Sequence, residues 1–270
     1  MFKRTLRCPA LTALLLCVLT IAGAEAARAQ GAAPPSSLDA LKDDIAAANR
    51  ILADLQVVDA FGHVSVRHPT RPDHFLMGRN LAPALVTPAD IVEYDLDGKA
   101  IDPPAGATHF LERFIHAEVY RARADVKSVV HTHSPAVIPF GATKAPMRPM
   151  YHMSAFLAPG VPVFEIREAG GMTNMLVSNG PLGKALAASL GDKNVVLMRG
   201  HGNVVVAAAL PMAVFRAYYT ETNARLQLQA MGIGGDITFL DKEEGEKAGE
   251  VLETIHLRAW ALWKEKMRAK

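Results

Sequence analysis

Cysteine is nearly absent from this chain of 270 residues: there are two, Cys8 and Cys17. Both lie near the start, so the rest can form no disulfide and offers no thiol as nucleophile or metal ligand. Runs of one charge are also missing. Lysine and arginine number 29 against 27 acidic residues, a net charge of +2, and no basic patch marks a surface for nucleic acid or an anionic membrane. The apolar stretch Leu11 to Ala22 is too short for the roughly 20 residues of a membrane-spanning helix. No internal repeat is visible.

That apolar stretch fits a secretory leader. Lys3, Arg4 and Arg7 form a basic start, and Ala27-Arg28-Ala29 is a small-residue cleavage site. A signal peptide is therefore expected over residues 1–29, with a cut after Ala26 as the alternative. Only Lys3-Arg4 is present, which gives no twin-arginine route, and Cys17 lacks the small residues that precede a lipid-anchored cysteine. The expected destination is the periplasm or the exterior, with no membrane anchor left after cleavage. Lys3, Arg4, Arg7, Arg28 and Glu25 leave with the leader, taking the net charge from +2 to −1. The remainder is long enough to bury one substantial core.

Residues 30–36, with Gly31 and Pro34-Pro35, form a flexible linker; 37–240 is one α/β domain, and 241–270 a C-terminal helix packed on it. Ser36 or Ser37 can cap a helix running to about Leu55. Gly62 to Arg67 and His74 to Met77 alternate like strands. Thr87-Pro88 starts a short helical turn, Val92 to Asp95 is a strand, and Asp95-Leu96-Asp97-Gly98 its turn. A helix is expected over Thr108 to Arg123, then a strand at Val126 to Val130 and another at Val161 to Glu165. A helix at Leu182 to Leu190 follows, with paired strands at Asn194 to Met198 and Asn203 to Ala207 and a helix from Pro211 to Met231. The last helix, Asp241 to about Lys266, starts acidic and ends basic, as the helix dipole favours.

Histidine is where the sequence is most specific. Val129-Val130-His131-Thr132-His133-Ser134-Pro135 closes one apolar strand, and Arg199-Gly200-His201-Gly202 follows another. Side chains two apart on an extended segment share a face, so His131 and His133 can converge on one ion while Thr132 turns away. A third imidazole from a distant strand would complete a set that leaves positions open for substrate. Exposed or core-satisfied histidines are the other reading of the pair alone. The glycines beside His201 permit a sharp turn and close backbone approach.

In order along the chain, Gly62-His63-Val64-Ser65-Val66-Arg67, Leu85-Val86-Thr87 with Asp90-Ile91, Leu111-Glu112-Arg113-Phe114-Ile115-His116, Ala124-Asp125-Val126 through His131-Thr132-His133-Ser134, and Met198-Arg199-Gly200-His201-Gly202 resemble the class II aldolase/adducin superfamily. The resemblance runs from about Leu38 to Leu240. It implies a single-domain, three-layer α/β/α fold around a central, mostly antiparallel β-sheet. It also implies that His131, His133 and His201 bind a divalent metal ion, zinc by default with manganese, cobalt or iron as alternatives, and that Glu112 is the catalytic glutamate. By its spacing alone Glu112 reads rather as a solvated helix carboxylate, a preference that the resemblance reverses. His116, one turn on, reads as a packing group or as a partner that fixes another imidazole.

Departures from the family's sugar-phosphate aldolases bear on substrate. Those enzymes hold a phosphate with groups that include two serines just before the catalytic glutamate and an asparagine after the first motif's glycine; here Phe110, Leu111 and His63 stand there. An apolar pair cannot hydrogen-bond a phosphate. His63 and Arg79 can grip a carboxylate or phenolate instead, Arg79 having a surface loop cation as its other reading. The family's proton-donating tyrosine, supplied by a neighbouring subunit, aligns with His152 beside Tyr151; either can give a proton to a carbanion, and an interface hydrogen bond is the alternative. A cyclic homotetramer is implied, with the apolar stretch Ala155 to Val163 as interface.

These features resemble the branch that decarboxylates hydroxylated aromatic or pyridine carboxylates, through a metal-stabilised enolate. The expected partner is a small carboxylate substrate, with no nucleic acid. A retro-aldol or epimerase-like lyase on a non-phosphorylated substrate is the alternative. A non-catalytic, adducin-like module is a third reading, against which the retained Glu112 and three histidines speak.

Overall fold

The structure is a computed structural model and describes residues 37–269. The leader and linker expected over 1–36 lie outside the described residues. Ser37 caps helix α1 (Leu38–Asp54), its hydroxyl accepting from the Ala40 N–H at 3.1 Å. Leu41, Ile45, Ala48 and Leu52, spaced by helical turns, are buried on its inner face.

Among the described residues eight strands form one sheet: β1 (His63–Arg67), β2 (His74–Gly78), β3 (Ile91–Asp95), β4 (Ala100–Ile101), β5 (Ser128–Thr132), β6 (Val163–Phe164), β7 (Val195–Met198) and β8 (Gly202–Ala207). Their order is β4-β3-β2-β1-β5-β8-β7-β6. Every pairing is antiparallel except β6 with β7. Residues of alternate parity feed separate cores on the two faces. Val64, Val66, Val130 and Val205 join the core under α1, α6 (Leu210–Ile233) and α7 (Lys242–Arg268); Met77, Val129, Val204 and Val206 join the one under α2 (Arg113–Ala122) and α5 (Gly180–Leu190). Three layers result, as expected of an α/β/α fold. Two short helices, α3 (Ile138–Ala142) and α4 (Ile166–Gly170), link the elements. Among the described residues, no helix is long and apolar enough to cross a membrane.

One sequence expectation is corrected. The helix expected from Thr108 begins at Arg113, with Glu112 at its N-cap. The carbonyls that would start it earlier are taken: Thr108 O by the Asn80 N–H at 2.9 Å and Phe110 O by the Arg113 guanidinium at 2.9 Å. Within the apolar stretch Ala155 to Val163, Ala155, Phe156 and Leu157 are buried against their own core, while Pro159, Gly160 and Val163 are exposed.

Helix α6 grips an extended segment with side chains alone. Asn223 accepts from the Met150 N–H and donates to Arg148 O; Gln227 accepts from the Arg148 N–H and donates to Pro146 O. This clamp sets where Tyr151 and His152 emerge.

Candidate metal centre

The alternation of β5 decides which side chains reach the site. Val129 feeds the α2–α5 layer, so His131 turns to that side and His133 follows it. Thr132 points away, its hydroxyl bonding Asn203 Oδ1 at 2.6 Å. His201 sits in the turn between β7 and β8, where Gly200 takes φ +63°. A Cβ on Gly202 would lie 2.0 Å from Thr132 O. Gly202→Ala is accordingly expected to lose on the order of 1–3 kcal/mol to overpacking and to shift His201. Thermal denaturation and metal uptake check this; a variant matching the wild type in both would refute the close approach.

Nε2 of His133 lies 3.2 Å from His131 Nε2 and 3.0 Å from His201 Nε2. Glu112 Oε2 is 3.5 Å from His131 Nε2 and 3.4 Å from His201 Nε2. One ligand atom from each of the four lies within 4.8 Å of the others. Two backbone carbonyls fix the tautomers: His131 Nδ1 donates to Asn203 O at 3.1 Å and His201 Nδ1 to Met175 O at 3.0 Å. Their Nε2 lone pairs therefore face inward, as a metal-bound imidazole requires. Four Lewis bases turned on one point repel unless protons or a cation stand among them. The spacing fits one ion, because nitrogens bound at about 2.0–2.1 Å lie roughly 3 Å apart.

Burial by itself would push the Glu112 carboxyl up, but hydrogen bonds and attraction from His131 and His201 outweigh it and hold it well below the usual carboxylate range. Its other oxygen accepts the Val177 N–H at 2.9 Å. His133 is lowered to about 4 by burial and then by its histidine neighbours. For His201 burial opposes protonation, and Glu112 more than offsets it, raising the pKa.

His63 is paired with His131 across β1 and β5, the two rings 5.1 Å apart. Burial, then its neighbours His116 and His131, lower its pKa well below the ordinary value. Phe110 covers His63 at 4.5 Å, and Phe61 stacks 6.2 Å from His133. Phe61 and Leu111 stay 61% and 58% exposed. The other expected residues do not meet the cluster within one chain. Arg79 is committed through Nε to Asp90 at 2.7 Å. Tyr151 packs on His152 and Tyr219, and His152 is exposed. Sequence reasoning missed the acceptors Asn203 O and Met175 O, backbone groups with no side-chain signature. It also missed that His116 bonds His63 and Ser65 rather than a member of the cluster; the i, i+2 spacing of His63 and Ser65 was the available signal.

Residues 43–228 match the profile of the class II aldolase and adducin N-terminal domain. The chain is 38% identical over 235 residues to the decarboxylase tropJ of Talaromyces stipitatus, covering 79% of this chain and 88% of that one. It is 29% identical over 236 residues to a 3,4-dihydroxyphthalate decarboxylase of Rhodococcus jostii, covering 83% and 93%. Among solved structures, an L-fuculose 1-phosphate aldolase from Glaciozyma antarctica superposes with a TM-score of 0.73 at 22% identity, covering 88% of this chain and 94% of that one, a likeness of fold alone. With the profile matched over most of its length and the fold shared, the chain belongs to the class II aldolase and adducin family.

Proposed function

We propose that the protein is a divalent-metal-dependent carbon–carbon lyase that decarboxylates a non-phosphorylated hydroxy-aromatic or related hydroxy-carboxylate. The observation that carries this reading is the convergence of Glu112, His131, His133 and His201, with Phe110 and Leu111 rather than hydroxyl residues immediately before Glu112. Its similarity to two decarboxylases over most of the chain supports it. Three imidazoles suit zinc by default; manganese, cobalt and iron accept the same donors. Bound there, such an ion supplies a Lewis acid for the substrate oxygen next to the breaking bond.

The chain's own groups account for the protons. Ionised Glu112 accepts the proton of the substrate hydroxyl. As carbon dioxide leaves, the bonding pair stays on the substrate carbon, and a proton must reach it. His152 or Tyr151 supplies it to a neighbouring subunit's site in a cyclic homotetramer. Sedimentation should give a tetramer, and a fully active monomer would rule this arrangement out. Arg79, held through Nε by Asp90, is read as the grip on a substrate carboxylate in the assembled protein, so Arg79→Met should raise KM by the equivalent of roughly 1.5–3 kcal/mol; unchanged kinetics on every carboxylate would exclude it. Residues 1–29 are read as a leader, which the N-terminal sequence of the exported protein tests.

Metal-reconstituted protein is expected to release carbon dioxide from hydroxybenzoates, dihydroxyphthalates or hydroxypyridine dicarboxylates. Cleavage of a ketose 1-phosphate with no such release would overturn the proposal.

A further inference from the structure

Four buried side chains lead away from the site into the layer between sheet and α2. His63 Nδ1 lies 2.6 Å from His116 Nε2, His116 Nδ1 is 2.6 Å from Ser65 Oγ, and Ser65 Oγ is 2.7 Å from the Tyr120 hydroxyl. His63 and Ser65 alternate on β1, while His116 and Tyr120 stand one turn apart on α2, so the two elements interlock. All four are buried. At the site end, His63 Nε2 has no protein partner among the described residues, and the ring lies between those of His131 and Phe110.

The hydrogens of this chain have one arrangement that pairs every donor in its interior and leaves unpaired only the N–H at the site end. Both rings are enclosed and therefore neutral, each with a single N–H. Among the described residues the Tyr120 hydroxyl has one side-chain partner, Ser65 Oγ; the Val129 backbone also bonds it, in the sense that lowers its pKa, as an N–H donor does, so Ser65 Oγ is the acceptor for the tyrosine hydrogen. If Tyr120 does not donate to Ser65, a buried O–H goes unpaired and loses its hydration with nothing in return. With Tyr120 donating, the Ser65 hydroxyl donates to His116 Nδ1. His116 Nε2–H then donates to His63 Nδ1, and His63 is left with its hydrogen on Nε2. Run in reverse, the same contacts strand the tyrosine hydrogen and leave a bare Nε2 at the site.

We propose that Tyr120, acting through Ser65 and His116, fixes His63 as the Nε2–H tautomer, and that this N–H binds an anionic oxygen, carboxylate or phenolate, of the substrate. Tyr120, Ser65 and His116 are positioning residues; His63 touches substrate. The ligand half rests on the carboxylate reading given above, whereas the tautomer half rests on hydrogen bonding alone.

Long-range nitrogen–proton spectra of the zinc-loaded protein carrying nitrogen-15 histidine separate the two halves, with His63 assigned by its loss in His63→Gln. The wild type should show the hydrogen on His63 Nε2. Tyr120→Phe should keep its metal yet show His63 as a mixture of tautomers, and should bind 2-hydroxybenzoate about tenfold more weakly by calorimetry. Ser65→Ala cuts the same chain and replaces Tyr120→Phe if that variant does not fold. A hydrogen on His63 Nδ1 in the wild type, or His63 signals unmoved in both variants, overturns the tautomer assignment whatever the reaction. An Nε2–H tautomer with 2-hydroxybenzoate affinity unchanged in His63→Gln overturns the ligand role. Failure of the decarboxylase reading shows separately, as no carbon dioxide release with these spectra intact.

Discussion

Glu112→Gln is expected to keep its metal and lose turnover by about 10²–10⁴-fold, the usual contribution of a positioned proton acceptor. The change is nearly isosteric. The amide oxygen can still accept the Val177 N–H that Glu112 Oε1 accepts at 2.9 Å, so helix α2 and the 177 region should hold their places. What disappears is the charge on Oε2 between His131 and His201. Metal per chain, measured alongside steady-state turnover, separates the cases. Wild-type turnover would reduce Glu112 to an acceptor for a backbone amide. Joint loss of metal and activity would make it chiefly a ligand.

His133→Ala should have the larger effect on the ion itself. His133 Nε2 lies within 3.2 Å of both other imidazole nitrogens, so its removal opens one side of the cluster and leaves two nitrogens and a carboxylate. Loss of a mere outer hydrogen-bond partner costs metal sites roughly 10–100-fold in affinity. A missing ligand should cost more, leaving the purified variant substoichiometric and inactive. Equal metal content in variant and wild type would remove His133 from the ligand set. Because β5, the glycine-flanked turn of His201 and the N-terminus of α2 hold the remaining ligands, folding should survive the substitution.

How much of this was legible in the chain depended on the range of the interactions involved. The strands other than β4, helices α1, α5, α6 and α7, and the approach of His131 to His133 follow from local periodicity and were readable residue by residue. The start of α2 was not, because distant Asn80 takes the carbonyl of Thr108. Arg79 reads alike whether it is free or held by Asp90, a pairing made eleven residues away across a turn. The apolarity of Ala155 to Leu157 shows that the segment is covered without showing that its own chain does the covering. The chain of contacts from His63 to Tyr120 joins residues more than fifty positions apart and becomes visible only once β1 and α2 are stacked.

The two-sided β5 also dictates what kinds of change this gene can accumulate. Val129 and His131 face one layer, Val130 and Thr132 the other. A single inserted or deleted residue between Ser128 and His133 would exchange the faces, driving an imidazole into the aliphatic core and a valine toward Glu112. Substitutions within the strand can be graded by size and polarity; changes of length cannot. Across homologous genes, this stretch should drift in letters while its spacing to His133 stays frozen, and indels should gather instead in the exposed segment 102–106.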